Sequence, residues 1–135
     1  MIKLLFLFFS IQLICEKGIC QEMHIDRITV KYVNRNILTI FDINCNEFEK
    51  DLKGSIKEKN IEDSLILTNF KQLLKTIKYE KRNGSIDVRN KLYIYYSNKL
   101  NPEIICTDGY RKIMLNGRKI RNNKKLIEIV NSWTL

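Results

Sequence analysis

Cysteine and histidine are the residues of this sequence whose side chains could supply a nucleophile and its base. The chain has four cysteines and one histidine in 135 residues. A cysteine thiolate attacks a substrate when a nearby base, usually histidine, accepts its proton. The single histidine, His24, lies close to the predicted start of the mature chain, where disorder is usual. We therefore expect His24 to be solvated and inert, and we predict no catalytic residue.

Carboxylates offer a second chemistry, because acidic side chains grouped in a pocket can act as general acids and bases. No metal-ligand spacing, nucleotide-binding glycine loop or nucleophile elbow accompanies them. We predict no metal and no cofactor, and catalysis stays the alternative to binding. The candidates for a carboxylate group are Asp26, Asp42, Asp87 and Asp108.

The amino-terminal segment determines how many cysteines the mature chain keeps. Met1–Lys3 is basic and Leu4–Ile14 is almost continuously apolar, as in a secretory signal peptide. Gly18 and Cys20 are the small residues that signal peptidase requires just before its cleavage site. We predict that residues 1–20 are removed and that Gln21 begins the mature chain. Lipidation and a retained membrane anchor are the alternatives.

Cleavage would leave one pair of cysteines, Cys45 and Cys106. An even number of cysteines in an exported chain indicates a disulfide. This bridge would close a loop of about 60 residues and stabilise the fold by on the order of 4 kcal/mol. Two buried free thiols are the alternative.

Length and composition fit a single domain over residues 21–135. The chain is 44% hydrophobic and 29% charged, as expected of a folded protein, and its formal net charge is +9. Such a charge favours an acidic macromolecule or an anionic surface as partner. We expect no nucleic-acid partner, because acidic residues are mixed through the chain and no groove-reading motif is present. No transmembrane segment is expected after cleavage.

Alternating apolar and polar residues predict an antiparallel sheet. The clearest alternation lies within residues 86–120, where Leu92, Ile94 and Tyr96 share one face of a strand. Asn116-Gly117 tolerates the positive φ angles of a two-residue hairpin. Asp26–Val33 and Ile37–Ile43 read as an earlier hairpin.

Two main helices are predicted to pack on this sheet. One begins at Asp63 or Ser64, ends near Asn83-Gly84 and buries a stripe of apolar residues. The other is capped by Asn122 or Asn123. A short helix begins at Asn46, and Lys57–Asn60 reads as a charged connection. The predicted fold is α+β, with an antiparallel sheet of about five to six strands and both main helices on one face. The first stripe contains Ile66, Phe70, Leu73, Leu74 and Ile77, and the second contains Leu126, Ile127, Val130 and Trp133.

The residues that could contact a partner lie in and around the predicted sheet. Asp87 and Arg89 are two residues apart and could form an anion site, or else a structural ion pair. Tyr93, Tyr95 and Tyr110 could form an aromatic contact surface if the outer sheet face is uncovered, with covered packing as the alternative. We expect a non-enzymatic interaction module; a small extracytoplasmic enzyme without a recognisable motif is the alternative.

Five segments of the sequence carry a resemblance to known proteins. They are the leader ending in Cys20-Gln21, residues 86–89 and 104–108, the Asn116-Gly117 turn and the helix start at residues 122–126. These segments resemble small exported proteins of Bacteroidetes that have no assigned activity. The resemblance covers most of the mature chain and implies export and an α+β fold, without catalytic residues to transfer.

Overall fold

One antiparallel sheet forms the centre of the structure. The computed structural model describes residues 23–135, and the predicted leader with its cleavage site lies outside them. The strands are β1 (Ile25–Tyr32), β2 (Lys57–Ile61), β3 (Asn90–Tyr96), β4 (Glu103–Thr107), β5 (Ile113–Leu115) and β6 (Arg118–Ile120). The helices are α1 (Phe48–Asp51), α2 (Ser64–Leu74) and α3 (Lys124–Trp133). The strand order is β2-β1-β3-β4-β5-β6, so the predicted α+β fold is confirmed.

The main core lies between α2, α3 and one face of the sheet. Leu92 and Ile94 of β3 are fully buried there, as their alternation predicts. The ring centroids of Phe70 on α2 and Trp133 on α3 are 5.2 Å apart, so the two helices also contact each other. Asn123 caps α3 by accepting a hydrogen bond from the Leu126 amide at 3.1 Å. The predicted inward residues of this helix are all buried.

Helix α2 differs from its prediction at both its stripe and its end. Asp63 is the cap, as expected, and its carboxylate accepts hydrogen bonds from two backbone amides of the first turn. However, Ile66 is 40% exposed and Leu67 is buried in its place. Either residue fits a helical repeat with Phe70, and the sequence alone does not show which one the sheet covers. The helix also ends at Leu74, well before Gly84.

The predicted second strand, Ile37–Ile43, is a loop. Its place beside β1 is taken by β2, the segment expected to be a charged connection, with Ile28 opposite Ile61 and Lys31 opposite Glu58. Lysines and glutamate suit this position because β2 is an edge strand, and charged side chains protect an open edge from pairing with other chains.

The second face of the sheet is half covered by the segment that joins β1 to β2. Phe48 of α1 is buried there in a smaller core with Ile43, Val88 and Cys106. Cys45 and Cys106 form a disulfide with their Cα atoms 5.9 Å apart, so the predicted bridge is confirmed. The covering segment is therefore covalently attached to β4.

Candidate functional site

Asp87 and Arg89 form an ion pair on the second face of the sheet. Arg89 is only 7% exposed, so it cannot belong to the contact surface predicted for it. Its Nη2 atom also donates a hydrogen bond to Oγ1 of Thr39 at 3.1 Å. Asp87 Oδ1 accepts a hydrogen bond from the Ile43 amide at 3.0 Å. The pair is structural, and both partners hold the segment between β1 and α1.

That segment, residues 37–43, is here called the apolar loop. Leu38 is 96% exposed, Ile40 is 92% exposed and Phe41 is 80% exposed. The polar residue between them, Thr39, instead reaches inward to Arg89. Apolar side chains usually point inward and polar ones outward, so this loop has the reverse arrangement.

The two ends of the apolar loop are fixed to the rest of the domain. The Val88 amide donates to the Ile43 carbonyl at 2.8 Å, and Ile43 is buried in the smaller core. At the other end, the Ile37 amide donates to the Asn34 carbonyl at 3.1 Å. Both ends of the apolar loop are therefore held by hydrogen bonds, while Leu38, Ile40 and Phe41 between them are exposed.

The sequence analysis did not predict that Leu38, Ile40 and Phe41 are exposed, because a continuous apolar run is typical of a buried strand. A strand of that kind needs cover on both faces of its sheet. Both main helices were predicted on one face of the sheet, which left no element to cover the other face. This lack of a covering element was the signal in the sequence that Leu38, Ile40 and Phe41 lie outside the core.

Tyr93 and Tyr95 lie on the uncovered half of the second face. They are half-buried, and β1 places Thr29 opposite Tyr93 and Arg27 opposite Tyr95. The Arg27 guanidinium lies 4.5 Å from the Tyr95 ring centroid, a cation–π distance. Tyr110 is 62% exposed in the turn after β4, and it lines a cleft that neither Tyr93 nor Tyr95 lines. The three tyrosines therefore do not form the single surface that was predicted.

Glu49 of α1 contacts two lysines and the hydroxyl of Tyr93. Its carboxylate lies 2.6 Å from Lys31 Nζ and 3.2 Å from Lys91 Nζ, and it accepts a hydrogen bond from the Tyr93 hydroxyl. Burial alone would raise the pKa of the Glu49 carboxyl, but the hydrogen bonds from Lys31, Tyr93 and Lys91 lower it to about 2. Burial and the bond to Glu49 raise the pKa of Tyr93. Glu49 is thus ionised at neutral pH and is not suited to donate a proton.

The other candidate chemistries are not assembled in the described chain. Cys45 and Cys106 are joined to each other, so neither is a thiol beside His24. Asp87 is engaged by Arg89, whereas Asp108 Oδ1 accepts hydrogen bonds from three amides of its own turn. Asp87 and Asp108 therefore serve local structure at separate places, and the other two candidates, Asp26 and Asp42, are exposed.

Residues 23–135 contain no group of three or more histidine, cysteine or acidic side chains that could hold a metal ion. None of the helices in this part of the chain has the length and apolar character needed to cross a membrane. Comparison with protein-family models, curated proteins and solved structures finds no match for this chain.

Proposed function

We propose that the protein is an exported, non-enzymatic binding module that contacts its partner with the apolar loop. The observation that carries this proposal is the ion pair of the buried Arg89 with Asp87, which holds the loop that exposes Leu38, Ile40 and Phe41. Large apolar side chains exposed together mark interaction sites. Covering each of them would contribute about 1.5–3 kcal/mol to binding.

Charge and shape favour an anionic surface as the partner. The loop tip projects into solvent, and an apolar tip that enters a lipid interface needs no preformed groove. The mature chain has 22 Lys and Arg against 14 Asp and Glu, and its formal net charge of +8 adds attraction to anionic lipids. Lys57 is exposed and shares a cleft with Ile37 at the start of the loop, which places a cation next to it.

Vesicle binding by the mature chain, residues 21–135, tests this proposal. Co-sedimentation should be stronger with vesicles containing phosphatidylglycerol than with pure phosphatidylcholine. Changing Leu38, Ile40 and Phe41 together to serine should weaken it about tenfold or more, because their apolar contact is lost. Leu100→Ser is the matched control, since Leu100 is equally exposed in the turn after β3. Equal binding by the loop variant and the control would contradict the proposal.

Export is supported by the sequence of the leader, and the disulfide is compatible with an oxidising compartment. The enzymatic alternative makes a separate prediction, which is turnover in a broad hydrolase screen. Turnover that a folded Glu49→Gln or Asp87→Asn variant lost, together with absence of vesicle binding, would overturn the binding module.

A further inference from the structure

Arg35 is a half-buried cation without an ion-pair partner in the described chain. Its Nη2 atom is buried and makes no hydrogen bond. Charged groups that are removed from water are normally paired, because desolvation of an unpaired charge is unfavourable. Arg35 therefore lacks the counter-charge that Asp87 provides for Arg89.

Other unpartnered polar atoms lie next to Arg35. Asn90 is 1% exposed, and neither its Oδ1 nor its Nδ2 atom has a hydrogen-bond partner. Oδ1 of Asn131 is buried and unpartnered as well. These atoms converge beside Gly109, whose φ is +79°. A Cβ there would lie 3.5 Å from Asn90 Nδ2 and 3.6 Å from both Arg35 Nε and Asn131 Oδ1.

Arg35 also lines a cleft of about 470 Å³. Lys57 and the exposed Tyr110 line the same cleft, together with Asn34, Asn36 and Thr134. Leu135 also lines the cleft, whereas no aspartate or glutamate side chain does. The cleft thus brings the side chains of two cations together with amide and hydroxyl groups, and it is within the size range of small-molecule sites.

We propose that this cleft binds a phosphate group, held between Arg35 and Lys57. A phosphate group has more acceptor oxygens than a carboxylate, so it can accept hydrogen bonds from both cations at once. The part of the Arg35 guanidinium that lines the cleft can donate a charge-assisted hydrogen bond to a phosphate oxygen, and Lys57 adds a mobile ammonium. Binding would also bring an anion to Arg35, which has no ion-pair partner in the described chain.

The phosphate could come from a soluble phosphomonoester or from a lipid headgroup, because the cleft is close to the apolar loop. Asn36 and Lys57 line both this cleft and its neighbour, and Ile37 connects that neighbour to the space around the loop. The proposed phosphate site depends on the residues that line the cleft and not on the apolar loop, so it is independent of the proposed function. The loop variant with serine at positions 38, 40 and 41 should therefore bind soluble phosphate normally.

Calorimetric titration of the mature chain with inorganic phosphate, at constant ionic strength, tests the soluble source. Vesicles of phosphatidic acid in phosphatidylcholine test the lipid source. Arg35→Met and Lys57→Met should each weaken binding about tenfold or more, because each removes a charge-assisted hydrogen bond. Lys53→Met is the matched control, since Lys53 is an exposed lysine outside the lining of the cleft.

Lys57 is exposed, so its variant reports on the site even if Arg35→Met fails to fold. Arg35→Lys keeps the charge without the planar fork, and it should bind more weakly than the wild type. If Lys57→Met loses binding to soluble phosphate, the result supports a phosphate site for a soluble ligand. If Lys57→Met loses binding only to phosphatidic acid vesicles, the result supports a phosphate site for a lipid headgroup. Absence of binding to both probes, or binding that Lys57→Met and Arg35→Lys leave unchanged, would overturn it.

Discussion

Arg89 Nη2 donates a hydrogen bond to Thr39 Oγ1 at 3.1 Å across 50 residues of sequence. The same guanidinium pairs with Asp87, whose carboxylate binds the Ile43 amide at 3.0 Å. The two residues that the sequence suggests as a contact site therefore determine instead where the apolar loop lies. The exposed apolar residues Leu38, Ile40 and Phe41 belong to the loop that this pair holds.

Replacing Arg89 by methionine should lower the free energy of unfolding by about 1–3 kcal/mol, because it leaves the half-buried Asp87 carboxylate without its partner. Urea unfolding followed by the fluorescence of Trp133, the single tryptophan, measures the change. Lys50→Met is the control, since Lys50 pairs with Glu47 at 3.4 Å on the surface and should contribute less than about 1 kcal/mol. Equal effects of the two changes would contradict a structural role for Arg89.

Removing the disulfide should lower the free energy of unfolding by on the order of 4 kcal/mol, since the bridge restricts a long loop of the unfolded chain. The double variant Cys45→Ser, Cys106→Ser is compared with the oxidised wild type by urea unfolding. Dithiothreitol should bring the wild type to the stability of the variant and leave the variant unchanged. A difference below about 1 kcal/mol would show that the covering segment is held mainly by its packing.

The sheet after β3 could be predicted from the sequence because its signals are local. Asn116 and Gly117 have φ angles of 48° and 78°, as a two-residue hairpin requires, and they join β5 to β6. The alternation of Leu92 and Ile94 similarly identifies the buried face of β3. Neither inference depends on residues far away in the chain.

The pairing of β1 could not be predicted, because it depends on competition between distant segments. Ile37–Ile43 has the stronger β propensity, yet Lys57–Ile61 pairs with β1. The disulfide at Cys45 and the buried Arg89 hold residues 37–43 over the second face instead, and both partners are distant in sequence. The candidate site was missed for the same reason, since exposure of the loop follows from this long-range arrangement.

Export predicts that the purified extracytoplasmic protein begins at Gln21. The apolar run Leu4–Ile14 and the small residues Gly18 and Cys20 motivate this expectation. Amino-terminal sequencing after expression with the native leader measures it. Changing Gly18 and Cys20 to bulky residues should block cleavage. Recovery of the intact chain from the cytoplasm would refute export.

Gly117→Ala should destabilise the domain by about 1–2 kcal/mol, because a side chain at φ +78° enters the left-handed region. Gly54→Ala is a matched control, since neither added Cβ has an atom within 4 Å and Gly54 has no positive φ. The control should be neutral or slightly stabilising. The difference between the two urea midpoints isolates the backbone effect, and equal midpoints would contradict a strained hairpin turn at Gly117.

Glu49 should make the domain sensitive to acid. Its pKa is about 2 in the folded protein against an ordinary value of 4.5, so folding favours the ionised carboxylate. The contribution is fully present above about pH 4.5 and is lost as the pH falls toward 2. Because the side chain is 35% exposed, solvent screening reduces the expected contribution to about 1–2 kcal/mol.

Glu49→Gln should therefore be less stable than the wild type at pH 6, and the difference should shrink toward zero near pH 2, where the wild-type carboxylate also loses its charge. Urea midpoints between pH 2 and pH 6 measure this convergence. Glu62→Gln is the control, since Glu62 is exposed and lies outside the contacts of Glu49 with Lys31, Lys91 and Tyr93. A stability gap that stayed constant across this range would show that the carboxylate acts through packing, and not through its charge.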